Sequence, residues 1–278
     1  CKPDRQLSPR APMSTKQAFT VAHDGIRMNV LAMGQGDPVL FIHGFGGGAD
    51  SWYYNTRPLA QRFRVYAMDL PCFGRSSKVA RPGFLAFFAE WLVRLLDLNG
   101  HANAHIVGNS MGGAISLHLA LAHPDRVQRL VLVDPVGLGP DLSEDFLRAM
   151  IDSQTPMEVR AALALVLHNE ALLSHEMVER LYRYKQESGA AQVLREVGSQ
   201  LVRGGEALVD FRPRLGDIRA RTLVVWGRED RLIPVSHIEN AAAIPNVRTH
   251  VFEGCGHIPQ MEMAEPFNNL LFEFLTSP

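Results

Sequence analysis

Cysteine is scarce in this chain: Cys1, Cys72 and Cys255 are an odd set at uneven spacing, which excludes a disulfide framework and a cysteine-based metal centre. An excess of charge is missing too. A net charge of -1 with 21% charged residues leaves no basic face for nucleic acid or another polyanion. Long apolar runs are absent as well; stretches such as 161–167 fall far short of the roughly 20 residues that span a bilayer. No Gly-Lys-Ser/Thr follows the glycine-rich stretch at 44–48, and no dinucleotide fingerprint occurs. The expectation is a soluble protein without transmembrane segment, nucleic-acid partner, metal or cofactor, acting on a small molecule.

Residues 1–14 are polar and punctuated by proline, with no hydrophobic signal core. Two readings of this stretch stand side by side. Met13 is the native start of a cytoplasmic protein, or Cys1 is the mature terminus of a lipid-anchored or exported lipoprotein with the polar stretch as tether.

What the chain has is 46% hydrophobic residues over 278 positions, enough for one large domain with an inserted subdomain. Short β-rich runs at 19–23, 26–33, 39–43, 64–69, 105–108, 130–134, 222–226 and 249–252 are bounded by Gly, Pro or Asp. Asp24-Gly25 reads as a hairpin turn. Helical patterns fill the gaps at 52–62, 84–98, 111–122, 235–243 and 266–275. Such alternation predicts an α/β fold: a mostly parallel sheet covered by helices on both faces.

Between 137 and 217 the rhythm breaks. Helical segments at 143–152, 157–168, 175–186 and 190–202 follow one another with no strand between them. An all-helical insertion between two core strands reads as a lid that shapes the pocket and excludes water. The expected organisation is therefore a polar tail at 1–18, a first core part at 19–136, a helical lid at 137–217 and a second core part at 218–278.

The chemistry is concentrated at Gly108-Asn109-Ser110-Met111-Gly112, which lies directly after a strand pattern and before a helix pattern. It reads as a nucleophile elbow, where a tight turn lifts a serine out of the sheet and bulky neighbours would clash. A serine hydroxyl is a poor nucleophile at neutral pH and needs a base within reach. His257 is the candidate base, in a glycine-flanked loop after the last strand. A carboxylate must then fix one imidazole tautomer. Asp230 is favoured, with the adjacent Glu229 and the strand-end Asp134 left open.

These features together resemble the α/β-hydrolase fold family. The resemblance rests on His43-Gly44-Phe45-Gly46-Gly47, Asp69-Leu70-Pro71 with Gly74-Arg75-Ser76, the serine elbow, Trp226-Gly227-Arg228-Glu229-Asp230, and Gly256-His257. It implies a Ser110, Asp230, His257 triad and an oxyanion hole formed by the backbone N–H groups of Phe45 and Met111. Cys72 departs from the glycine usual in that turn.

Two branches of the family are closer than the rest. The elbow, Cys255-Gly256-His257 and Arg180 resemble the carbon-carbon bond hydrolases of meta-cleavage pathways, which act on vinylogous diketones; Ile258 replaces their tryptophan. His43–Gly47 with Trp52, Tyr184–Gly189 and Gln260-Met261-Glu262 resemble the hydrolase-fold domain of dihydrolipoamide acyltransferases of acetoin-cleaving complexes, but no lipoyl domain is expected before Phe19. His43, Gly44, Trp52, Arg180 and Ile258 are the substrate-side candidates. The function expected from sequence is hydrolysis of a carboxylic ester through an acyl-enzyme. Carbon-carbon bond hydrolysis and acyl transfer are the enzymatic alternatives, and a hydrolase-fold ligand receptor is the non-enzymatic one.

Overall fold

A computed structural model describes residues 16–277. Cys1 and Met13 lie outside the described residues. The fold is built on an eight-stranded sheet. In chain order it contains β1 (Gln17–His23), β2 (Ile26–Met33), β3 (Pro38–Ile42), β4 (Arg64–Asp69), β5 (Ala104–Asn109) and β6 (Val127–Val133). A two-residue pair, β7 (Val202–Arg203) and β8 (Glu206–Ala207), precedes β9 (Arg221–Gly227) and β10 (Val247–Phe252).

The spatial order is β1-β2-β4-β3-β5-β6-β9-β10. Only β2 runs antiparallel to its neighbours, pairing β1 and β4; from β4 to β10 every pairing is parallel. Central strands β3, β5, β6 and β9 are apolar and almost wholly buried, as strands covered on both faces must be. Next to the edge strand β1, β2 alternates buried with more exposed positions. Asp24 and Gly25 both take positive φ, 49° and 75°, the geometry of a tight two-residue hairpin.

Helices α1 (Tyr53–Leu59), α2 (Phe84–Leu98) and α3 (Met111–Ala122) belong to the first half of the core. The helices α4 (Glu144–Asp152), α5 (Pro156–Ala164), α6 (His175–Gln186) and α7 (Ala190–Gly198) lie between β6 and β9, and α8 (Pro259–Glu262) and α9 (Ala264–Thr276) end the chain. One face of the sheet is covered by α2 and α3, whose Phe88, Leu92, Ile115 and Leu119 join one core layer. The other carries α1 and α9, where Leu59, Phe267 and Phe274 pack on Phe41 and Val225.

The segment after β6 is not wholly helical as expected. Gly204 and Gly205, at φ 62° and 80°, close the β7–β8 hairpin, whose two-residue strands are too short to leave a period in the sequence. The first strand also starts inside the expected tail, at Gln17. The helix expected at 52–62 is a 3-10 turn, Ala49–Trp52, followed by α1. That expected at 235–243 is 3-10 throughout. Among the described residues no helix is long and apolar enough to cross a membrane.

Candidate active site

Parallel strands bring their carboxyl ends to one edge, and at that edge β5, β6 and β9 lie side by side. Ser110 follows β5, Asp134 follows β6, and the Asp230 and His257 loops follow β9 and β10. Ser110 sits at φ 57°, ψ -119°, outside the comfortable regions for a side chain. Its surroundings fix that strain. The Ser110 N–H donates to the Val133 carbonyl at 2.9 Å, and its own carbonyl accepts from Gly113, Ala114 and Val136 at 2.9, 3.2 and 3.2 Å.

The elbow glycines are required by packing. A Cβ on Gly108 would stand 2.3 Å from the Gly112 carbonyl oxygen, and one on Gly112 would stand 2.3 Å from that of Ile42. So α3 touches the backbone of two strands at its start. The Gly44 loop comes equally near: a Cβ there would be 3.1 Å from the Ser110 Cβ.

His257 Nδ1 lies 2.7 Å from Asp230 Oδ2, with both side chains almost fully buried. Asp230 Oδ1 accepts the N–H groups of Leu232 at 2.8 Å and Ile233 at 3.1 Å. Three donors thus hold one carboxylate, which orients the ring through its Nδ1 side. The His257 loop is tied to the elbow by Asn109, whose Nδ2 donates to the His257 carbonyl at 3.2 Å and to that of Val133 at 3.1 Å. Glu229 points elsewhere, accepting from the Cys255 N–H at 2.8 Å. Asp134 makes no bond to the ring among the described residues; its Oδ1 accepts from the Gly227 N–H at 2.9 Å.

Phe45 lies inside the turn closed by Gly47 N–H to the Gly44 carbonyl at 3.1 Å. Met111 is the first residue of α3, where an N–H has no acceptor within its own helix.

Several substrate-side candidates lie elsewhere. Trp52 is fully buried in the layer on the opposite face, its ring 4.8 Å from that of Phe41. His43 has both nitrogens committed: Nε2 accepts the Leu70 N–H at 3.0 Å and Nδ1 donates to the Gly44 carbonyl at 2.7 Å. Burial holds its pKa below the ordinary histidine range, so it braces the loop as a neutral ring. Arg180, half exposed on α6, pairs with Asp50 at 3.0 Å. Ile258 packs against the main core beside His257. Cys72 takes a left-handed backbone that favours glycine, at φ 85°, and burial pushes its thiol up to about 12, which leaves it inert as a nucleophile. Burial raises the Cys255 thiol as well.

Contacts from the 137–217 segment were not legible in the sequence. Glu262 accepts the N–H groups of His168 and Asn169 from that segment, at 2.8 and 2.9 Å, and of Gly256 beside His257 at 2.8 Å. The His257 N–H itself donates to the Val166 carbonyl at 2.9 Å. Arg231 Nη2 donates to the carbonyls of Ala164 and Leu167, both at 2.7 Å. On the other side, Met150 packs so closely on Gly46 that an added Cβ would meet its methyl at 2.4 Å. The Lys185 ammonium, buried beneath α4, donates to the carbonyls of Met150 and Ile151 at 2.6 and 3.1 Å. The segment thus covers both the glycine loop and the histidine loop.

Residues 37–264 match the model of the alpha/beta hydrolase fold, and the chain belongs to that family. Among its relatives is the dihydrolipoyllysine-residue acetyltransferase component of the acetoin cleaving system of Cupriavidus necator, 39% identical over 253 residues. That match covers 91% of this chain but 67% of the relative. The 2-hydroxy-6-oxo-6-phenylhexa-2,4-dienoate hydrolase of Burkholderia cepacia is 32% identical, over 95% of this chain and 97% of the relative. Among solved structures, a membrane phospholipase A superposes with a TM-score of 0.81 at 30% identity, covering 94% of this chain and 86% of the other.

Proposed function

We propose that the chain is a serine hydrolase in which Ser110 attacks a carbonyl carbon, His257 takes the hydroxyl proton, and Asp230 holds the imidazole. The observation that carries this reading is the buried 2.7 Å His257–Asp230 contact beside a strained serine elbow. The oxyanion formed by attack is met by the Phe45 and Met111 N–H groups. His257 then returns its proton to the leaving group, and a water deprotonated by His257 releases the acid from Ser110. The 137–217 segment acts as a lid, a role supported by its contacts with both site loops.

For the bond broken, similarity over nearly the full length of a dienoate hydrolase favours carbon-carbon hydrolysis of a vinylogous diketone over the ester hydrolysis expected from sequence. In that reaction the electron pair of the broken bond enters the conjugated system, and the proton from His257 goes to carbon. Ester hydrolysis stands as the second reading for two specific reasons. Arg180, the residue expected to meet an acidic substrate end, is paired with Asp50, and a phospholipase is a structural relative. Acyl transfer would need a carrier, and the match spans about two thirds of the acyltransferase component.

The test compares wild type with Ser110→Ala on a synthetic vinylogous diketone, followed by loss of its chromophore, and on a short p-nitrophenyl ester. Turnover of the diketone well above that of the ester, lost in the variant, is the expected result. The reverse preference would establish the ester reading. Equal rates in both proteins would refute Ser110 as nucleophile.

A further inference from the structure

We propose that Asp134 is held as a neutral carboxylic acid whose Oδ2–H donates to Asp230, making it a positioning residue behind the His257–Asp230 pair. The proposal rests on the reading of Asp230 as the orienting acid. Asp134 closes β6 at φ 45°, and its N–H is fixed to the Val225 carbonyl at 2.9 Å. This conformation turns a carboxyl group into the core, where it is completely buried. Oδ1 accepts from Gly227, yet among the described residues Oδ2 has no hydrogen-bond partner.

An unpartnered, wholly buried carboxylate oxygen is expensive, and a second carboxylate stands beside it. One oxygen of Asp134, one of Asp230 and a ring nitrogen of His257 all lie within 4.8 Å of one another. Two carboxylates this near in a dry site do not both ionise. The donors decide which of them keeps the proton. Asp230 receives the Leu232 and Ile233 N–H groups and the His257 ring, whereas Asp134 receives only Gly227 among the described residues. The charge therefore stays on Asp230 and the proton on Asp134, at the oxygen with no other use.

The remaining titratable neighbours push the same way or are silent. Burial raises the Asp134 carboxyl well above the ordinary range, and the negative charges of Asp230 and Glu262 add to it. Cys255, whose thiol burial keeps protonated, brings no charge. A proton shared toward Asp230 fixes the plane of that carboxylate, so that Oδ2 stays aimed at His257 Nδ1.

The test combines infrared spectroscopy with kinetics. Wild type at neutral pH should show the C=O band of a protonated carboxylic acid, shifted in D2O, present in Ser110→Ala and missing in Asp134→Asn. Asp134→Val should lower kcat by about tenfold, the worth of one hydrogen bond to a charged group, with little change in KM. Asp134→Asn should restore most of that loss, since its amide can donate to Asp230 while its carbonyl accepts from Gly227. Absence of the band, its persistence in Asp134→Asn, or an Asn variant as damaged as Asp230→Asn would overturn the proposal. Failure of a fluorophosphonate probe to label Ser110 while the band is present would instead overturn the hydrolase reading.

Discussion

A buried neutral acid has a thermodynamic signature that needs no substrate, and Asp134→Asn exposes it. In the unfolded chain the Asp134 carboxyl ionises near its ordinary pKa of about 3.9, while in the folded protein burial and the charge on Asp230 hold the proton to much higher pH. A carboxyl whose pKa is raised by folding stabilises most fully below the unfolded value. That contribution is lost as pH rises toward the folded value. Between the two, folding takes up one proton, and wild-type stability falls by about 1.4 kcal/mol per pH unit on account of this group alone. The asparagine variant has nothing to protonate there. The stability of Asp134→Asn relative to wild type should therefore climb above pH 5 by about 1.4 kcal/mol per pH unit until the folded carboxyl ionises. Urea unfolding of both proteins at pH 5, 6 and 7, at constant ionic strength and with matched m-values, measures it. If the climb levels off, the pH of levelling reads the folded ionisation of Asp134. A difference that stays constant from pH 5 to 7 would show Asp134 already ionised in the folded protein and would refute the reasoning.

Other perturbations test other parts of the site. Asp230→Asn should lower kcat on the best substrate by about 10⁴-fold while leaving the melting curve cooperative, because it removes the acceptor that fixes the imidazole tautomer; a loss below tenfold would move the orienting role to another carboxylate. Gly112→Ala places a Cβ 2.3 Å from the Ile42 carbonyl oxygen and should destabilise the fold by about 1–3 kcal/mol, read as a lowered urea midpoint. Glu262→Ala strands the His168, Asn169 and Gly256 N–H groups, with an expected loss of about 1–3 kcal/mol and faster proteolysis in the 137–217 segment. Arg180→Ala breaks a half-exposed pair with Asp50 and should change stability by less than about 1 kcal/mol, with KM unaffected; a large rise in KM would return Arg180 to the substrate.

How much of this was legible in the sequence depends on how far each interaction reaches along the chain. Helices α2, α3 and α6 run over the residues expected of them, because local signals such as Gly83 before α2, Pro124 after α3 and the Ser174 cap of α6 mark where a helix begins or ends. The elbow was legible for the same reason. Trp52 ends the 3-10 turn Ala49–Trp52 and is buried beside Phe41, a placement fixed by tertiary packing that a helical period over 52–62 does not carry. His43 and Arg180 carry polar groups whose partners, Leu70 and Asp50, are defined by tertiary packing. Asp134 and Asp230 are rivals by family resemblance; that their carboxyl groups come within 4.8 Å of each other follows from β6 and β9 being neighbours in the sheet, which no spacing along the chain encodes.

The glycines of the elbow also bear on ancestry. Gly108 is confined by Gly112 and Ser116 of α3, Gly112 by the Ile42 and His43 backbone, and Gly113 by Pro135, so all three are demanded by how α3 seats on the sheet, whatever Ser110 does. A descendant that had abandoned chemistry and kept the fold would preserve all three while its serine drifted. The glycines therefore answer for architecture alone, and a test for retained chemistry has to look to Ser110, His257 and Asp230 instead.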